Sequence, residues 1–162
     1  MTAGAVLPRL LVAALATLAG LPATADTLSC PDLAQAVQIN ACPSEEELQY
    51  TFTGYCSDNA QIYAGKTDPC VRYESYRKLK NVALWESPDG RFDGYISCDV
   101  PRAEFAPLQP TGVRVVAQGK LNKVVCAYPK GIAFTFRTKA ACAVPDAAAC
   151  AAGGDACRAV CD

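Results

Sequence analysis

Ten cysteines and not one histidine define the chemistry open to this 162-residue chain. The cysteines stand at 30, 42, 56, 70, 98, 126, 142, 150, 157 and 161. No two of them form a C-x-x-C pair, and Cys157-x-x-x-Cys161 is the closest spacing. Zinc sites favour cysteines two to four residues apart or a Cys/His set. Thioredoxin-like exchange needs C-x-x-C at the start of a helix. Both readings give way to a third, in which an even number of cysteines forms a disulfide framework of up to five bridges. Cys30, Cys42, Cys56, Cys70, Cys98, Cys126, Cys142, Cys150, Cys157 and Cys161 are all assigned to it, with the pairing left open. The spacings of 14 between Cys42, Cys56 and Cys70, and of 28 from Cys70 to Cys98 to Cys126, suggest a duplicated unit. The flanking residues do not repeat, so coincidence is the better reading.

Without histidine no side chain titrates near neutrality at its unperturbed pKa, and Ser-His-Asp and Cys-His arrangements are excluded. A pair of carboxylates is the remaining catalytic option. Glu45, Glu46 and Glu47 cluster, but they fall where a helix N-terminus favours negative charge. Asp89 and Asp93 flank turn glycines in DGRFDG and do not complete a calcium loop. No G-x-S-x-G and no phosphate-binding glycine loop is present. Neither a catalytic set, nor a metal site, nor a cofactor site is assigned.

The elements that must carry these residues begin after a leader. Arg9, the apolar run 10–21, Pro22 and Ala23-Thr24-Ala25 read as a secretory signal over residues 1–25. Its twelve apolar residues are too few for a membrane anchor, which needs about 20. Thr27, three residues before Cys30, does not suit lipid attachment there. Residues 26–162 then form one domain, expected in the bacterial periplasm or outside the cell, where thiols oxidise. Removing Arg9 leaves 14 of the 15 basic residues against all 16 acidic ones, a net charge of −2. Such a balance does not suit a general binder of nucleic acid or anionic membranes.

All thirteen aromatic residues lie between Tyr50 and Phe136, so the bulky core material is central. Ser29 is expected to cap a short helix with Pro31 and Asp32 in its first turn. Ser44 and Glu47 fit a capping box. The stretch after it is ambiguous, because Leu48, Tyr50 and Phe52 alternate as in a strand. Residues 57–64 read as helical again, and Asp68-Pro69 is expected to start a helix running through 70–80. From Asn81 the pattern is strand-like. NVALWES and FDGYISC form a hairpin candidate about Pro88-Asp89-Gly90. GVRVVAQ, KVVCAY and IAFTFRT follow, giving about five antiparallel strands. Trp85 on an apolar strand reads as core. The tail 142–162 is expected to be a helical hairpin of alanine-rich turns broken at Gly153-Gly154, with Asp155 capping its second arm. Helices this short do not stand alone, so disulfides are expected to staple them. The fold class is therefore α+β: N-terminal helices, a central antiparallel sheet and a short C-terminal helical hairpin.

Arg72, Tyr73, Tyr76, Arg77 and Lys80 form a basic, aromatic segment and are the candidate binding surface. The blander reading lays the tyrosines on the sheet and turns the charges to water.

Residues 85–142 resemble a family of small exported proteins of Gram-negative bacteria whose activity is uncharacterised. Trp85-Glu86-Ser87-Pro88, Gly94-Tyr95, Leu108-Gln109-Pro110, Val125-Cys126-Ala127-Tyr128 and Cys142 carry the resemblance. In that family an aromatic-Glu-Ser-Pro stretch is followed by a V-C-x-Y strand and a later cysteine. The resemblance covers under half of 26–162. It implies a periplasmic α+β domain and supplies neither activity nor site. The leading expectation is a non-catalytic envelope module that binds or inhibits a protein or a small ligand. The alternatives are a carboxylate-dependent hydrolase and a purely structural envelope protein.

Overall fold

The computed structural model describes residues 1, 25–57, 60, 63–65, 68–151 and 156–162. Nearly all of the expected leader lies outside these residues. So do the Gly153-Gly154 break with its Asp155 cap and half of the helix expected over 57–64.

Strand β1 (Asp26–Ser29) is followed by a 3-10 turn at Leu33–Gln35 and the short strand β2 (Val37–Gln38). Helices α1 (Glu45–Cys56), α2 (Asp68–Val71) and α3 (Tyr73–Lys80) come next. Strands β3 (Val82–Glu86) and β4 (Asp93–Ser97), the single turn α4 (Arg102–Phe105), and strands β5 (Gly112–Gln118), β6 (Leu121–Ala127) and β7 (Ala133–Thr138) make the centre. Strand β8 (Cys142–Ala143), the turn α5 (Ala147–Cys150) and β9 (Arg158–Cys161) close the chain.

The strands form two antiparallel sheets, one of six strands in the order β2-β3-β4-β7-β6-β5 and one of three in the order β1-β9-β8. Alternation decides which face is dry. Ala83 and Trp85 on β3, Ile96 on β4, Phe134 on β7, Val124 and Cys126 on β6 and Val113 on β5 are buried in one cluster. Leu28 of β1, Ala159 and Cys161 of β9, Leu33, Phe105, Cys150 and Cys157 complete that cluster from the opposite side. Gly94 lets β4 approach β7 closely, since a Cβ there would lie 2.4 Å from the Ala133 carbonyl oxygen and 2.8 Å from the Phe134 ring. Tyr128 is buried at the end of β6 and its hydroxyl donates to the Pro31 carbonyl. Burial, with the Asp32 carboxylate as a lesser cause, raises its phenol above the ordinary value.

Ten cysteines close five bridges: Cys30–Cys126, Cys42–Cys98, Cys56–Cys70, Cys142–Cys161 and Cys150–Cys157. No cysteine is left free. Among the described residues no helix is long and apolar enough to cross a membrane.

The α+β class holds, but four expectations change. The central sheet has six strands, because β2 adds to the outer edge of β3, and a second sheet of three lies against it. Ser29 caps no helix. It ends β1, which pairs with β9 through Leu28↔Ala159, a partner that no local pattern announces. Asp32 caps only the 3-10 turn, accepting from the Ala34 amide at 3.0 Å. The tail is no helical hairpin. Asp146 caps one turn, accepting from the Ala149 amide at 2.8 Å. The chain then enters β9, whose buried residues alternate with more exposed ones and which is held between β1 and β8. Pairing on both sides outweighs the helix propensity of alanine, which is worth only tenths of a kcal/mol per residue.

The ambiguous stretch after Ser44 is helix α1. Its capping box is complete: the Ser44 amide donates to Glu47 Oε2 at 2.7 Å and the Glu47 amide donates to Ser44 Oγ at 3.2 Å. The helix expected over 70–80 is broken at Arg72, which is extended (φ −146°, ψ 142°).

Candidate functional site

Two hydrogen bonds and a disulfide shape the ground between the helices and the sheet edge. After β2 the Ile39 amide donates to the Leu84 carbonyl at 2.9 Å. The Leu84 amide then donates to Asn40 Oδ1 at 2.6 Å, so a side chain replaces the missing strand. Cys42–Cys98 next ties this segment to the end of β4, just before Ser44 starts α1. The 3.6-residue repeat puts Glu47, Thr51 and Tyr55 on one stripe of α1. The same repeat puts Tyr76 and Lys80 on one stripe of α3.

These pieces border an open cleft of about 620 Å³ lined by Asn40, Glu47, Thr51, Tyr55, Tyr76 and Lys80, together with the apolar Leu48 and Val82. The Lys80 ammonium sits 5.0 Å from the centroid of the Tyr55 ring and, among the described residues, makes no ion pair with a carboxylate. Glu47 is already spent in the capping box, and the Ser44 amide that donates to it holds its carboxyl below the ordinary value. Thr51 donates to the Glu47 carbonyl at 2.7 Å. The cleft therefore offers the Lys80 cation, the Glu47 carboxylate held by the capping box, an aromatic face, an amide and hydroxyl oxygens. It holds no nucleophile beside a base.

The structure does not gather the five sequence-derived binding residues on one open face. Lys80 and Tyr76 line the cleft, but Tyr76 is only 2% exposed and packs on Phe52 and Tyr55 at 5.3 and 5.6 Å between centroids. Tyr73 donates to Glu45 Oε1 at 2.6 Å, and partial burial together with that bond pushes its phenol up to about 12. Arg77 grips both oxygens of Asp99 at 2.9 and 3.0 Å and reaches Glu45 at 3.2 Å. Arg72 is exposed at the break before α3. The segment thus fastens α3 to α1 and to the β4 end, and lends two residues to the cleft. Asn40, Thr51 and Tyr55 escaped the sequence reading. The i, i+4 repeat of Thr51 and Tyr55 becomes a signal only once α1 is known to be a helix.

A second cleft of about 380 Å³ lies beyond Cys42–Cys98, against Gln38, Trp85, Arg102 and Phe105. Trp85 is core, as its strand suggests. It meets Phe105 edge-on at 5.0 Å, and Arg102 covers its ring at 5.3 Å. A shallower hollow of about 320 Å³ brings two carboxylates together, Asp32 and Asp89. Both serve turns. Asp89 accepts from Ser87 Oγ at 2.5 Å and from the Arg91 amide at 3.1 Å, and the Ser87 bond lowers its pKa. A glycosidase acid needs the opposite shift. Asp93 accepts from Arg137 at 2.7 Å and from Thr135. Among the described residues no three of His, Cys, Asp and Glu stand close enough to hold a metal ion.

The site and fold together define a disulfide-linked pair of antiparallel sheets with a helical flank and a cleft at their junction. No family model, curated protein or solved structure matches the chain.

Proposed function

We propose that this chain is an exported, non-catalytic binding module of the bacterial envelope, and that its cleft takes a small polar ligand with at least one anionic group. The observation that carries the reading is the Lys80 ammonium over the Tyr55 ring, without an ion-pair partner among the described residues, in a cleft whose volume suits a small molecule. Asn40 and Thr51 add polar groups that orient what the ammonium attracts. Cys42–Cys98 and the capping box fix the consecutive stretch from Cys42 to Glu47 along the cleft, so binding orders little there that is not already ordered. Export rests on the leader pattern before Asp26, on five bridges that need an oxidising compartment, and on the resemblance of residues 85–142 to exported proteins.

The test is a titration of isotope-labelled, oxidised protein with uronic acids, dicarboxylic acids and acidic dipeptides, followed by amide chemical shifts. One of these ligands is expected to perturb Asn40, Thr51, Tyr55 and Lys80 together. Lys80→Ala is expected to weaken it by about tenfold, the loss of one charge-assisted contact. If no ligand moves these amides, or Lys80→Ala binds as well as the parent, the cleft reading falls. A carboxylate-dependent hydrolase has less support, because the carboxylates that shift, Glu45, Glu47, Asp89 and Asp99, all shift downward.

A further inference from the structure

The hairpin β5–β6 carries a second surface, on the face of the six-stranded sheet turned away from the core. Val113, Val124, Cys126 and Phe134 point inward. Alternation then puts Arg114, Val116 and Gln118 of β5, Leu121 and Lys123 of β6 and Arg137 of β7 on the outer face. Register places Val116 opposite Lys123 and Lys123 opposite Arg137. Two cations directly opposed on paired strands repel. Asp93 neutralises Arg137. Among the described residues no carboxylate pairs with Arg114, with Lys123 or with Lys120 in the turn.

β5 is also the last strand of its sheet, and no described strand pairs with its outer edge. Val116, Ala117 and Gln118 are exposed there. An open edge is a template for another strand. Charges on an edge often serve to block such pairing, and Arg114 alone fits that role. Lys123 does not. It lies one strand in, where it guards no edge and opposes Arg137. Its placement makes sense when an anion comes to rest beside it.

We propose that the outer edge of β5 accepts an extended acidic segment of a partner protein as an added strand. Alternate carboxylates of the segment fall on the outer face beside Arg114 and Lys123. The intervening apolar side chains fall on the inner face beside Val115 and Ala117. The whole chain is net −1, so it does not steer long polyanions. A short acidic segment engages the local cations without meeting the rest of that field.

The test uses a fluorescent octapeptide of alternating aspartate and valine, its analogue with proline replacing each valine, and phosphatidylglycerol vesicles, all against the oxidised protein. The aspartate-valine peptide is expected to bind saturably, more weakly at high salt, and to slow hydrogen exchange at amides 116–118. Arg114→Glu with Lys123→Glu is expected to weaken it by about tenfold or more. Lys123→Glu replaces a cation opposite Arg137 by an anion, so the variant is expected to melt no lower than the parent. The proline analogue is expected not to bind, because it cannot complete a ladder. Equal binding of the proline analogue or of the charge-reversed variant overturns strand addition. Binding to vesicles without binding to the peptide overturns it in favour of a lipid surface. Lys80→Ala is expected to keep the peptide, which separates this surface from the cleft.

Discussion

At the scale of single residues, the polar contacts that matter join elements far apart in sequence. Arg77 binds Asp99 and Glu45, Asn81 Nδ2 donates to Asp99 at 3.0 Å, and Tyr73 donates to Glu45. Tyr73 chiefly, and Arg77 after it, hold Glu45 below its ordinary 4.5, and Arg77 holds Asp99 below its ordinary 3.8. A carboxylate whose pKa falls on folding adds stability that is complete above its unfolded value and is lost as pH drops through its folded one. The urea midpoint is therefore expected to fall as pH decreases below 4.5 and to keep falling below 3.8. Asp99→Asn is expected to flatten that slope while also lowering the midpoint at neutral pH. A slope equal to the parent's would show that the Arg77 cluster does not link pH to folding. Little of this cluster was legible beforehand. Residues 72–80 announced cations and tyrosines, but nothing local tells Arg77 that Asp99 will stand opposite it.

At the scale of elements, local signals held where the element closes on itself and failed where a distant strand closes it. Ser44 and Glu47 satisfy each other within four residues, so the start of α1 was legible as a capping box, while the strand-like alternation of Leu48, Tyr50 and Phe52 left the helix itself undecided. The β3–β4 hairpin is equally local. Ser87 Oγ accepts from the Phe92 amide at 3.0 Å, and Gly90 takes the positive φ of 68° that the turn requires. β1 and β9 carry no such signal. β4 and β7 meet through the pair Asp93↔Thr135 and through the close approach at Gly94, and the glycine gives a test of the sheet's centre. Gly94→Ala is expected to cost about 1–3 kcal/mol by overpacking against backbone. The check is a lower urea midpoint with an unchanged m-value. A midpoint equal to the parent's would mean that β4 lies farther from β7 than its glycine implies.

At the scale of the whole molecule, the bridges differ in what they restrain. Cys30–Cys126 joins the end of β1 to β6 across a separation of 96 residues, whereas Cys150–Cys157 spans 7. By loop-closure entropy the first restricts the unfolded chain by about 5 kcal/mol and the second by about 2 kcal/mol. Replacing both cysteines of the long bridge by alanine is expected to lower the urea midpoint more than replacing those of the short one. Equal losses would show that these bridges stabilise through packing rather than through chain restriction. Cys42–Cys98 is the bridge that also shapes the cleft, so its removal is expected to loosen the Asn40 wall.

The sequence by itself determined the chemical inventory: ten cysteines without histidine, a central aromatic core, an α+β class, hairpins at their turns and a capping box at Ser44 and Glu47. Each of these rests on composition or on contacts within a few residues, where the chain's own period leaves a mark. Only the tertiary structure decided which cysteines pair, that the alanine-rich tail becomes a strand between β1 and β8, and that Asn40, Tyr55 and Lys80 share a cleft. Apart from the short Cys150–Cys157 and Cys56–Cys70 bridges, those outcomes depend on contacts across tens to more than a hundred residues. Their free energy comes from burial and pairing with partners that no window of sequence contains.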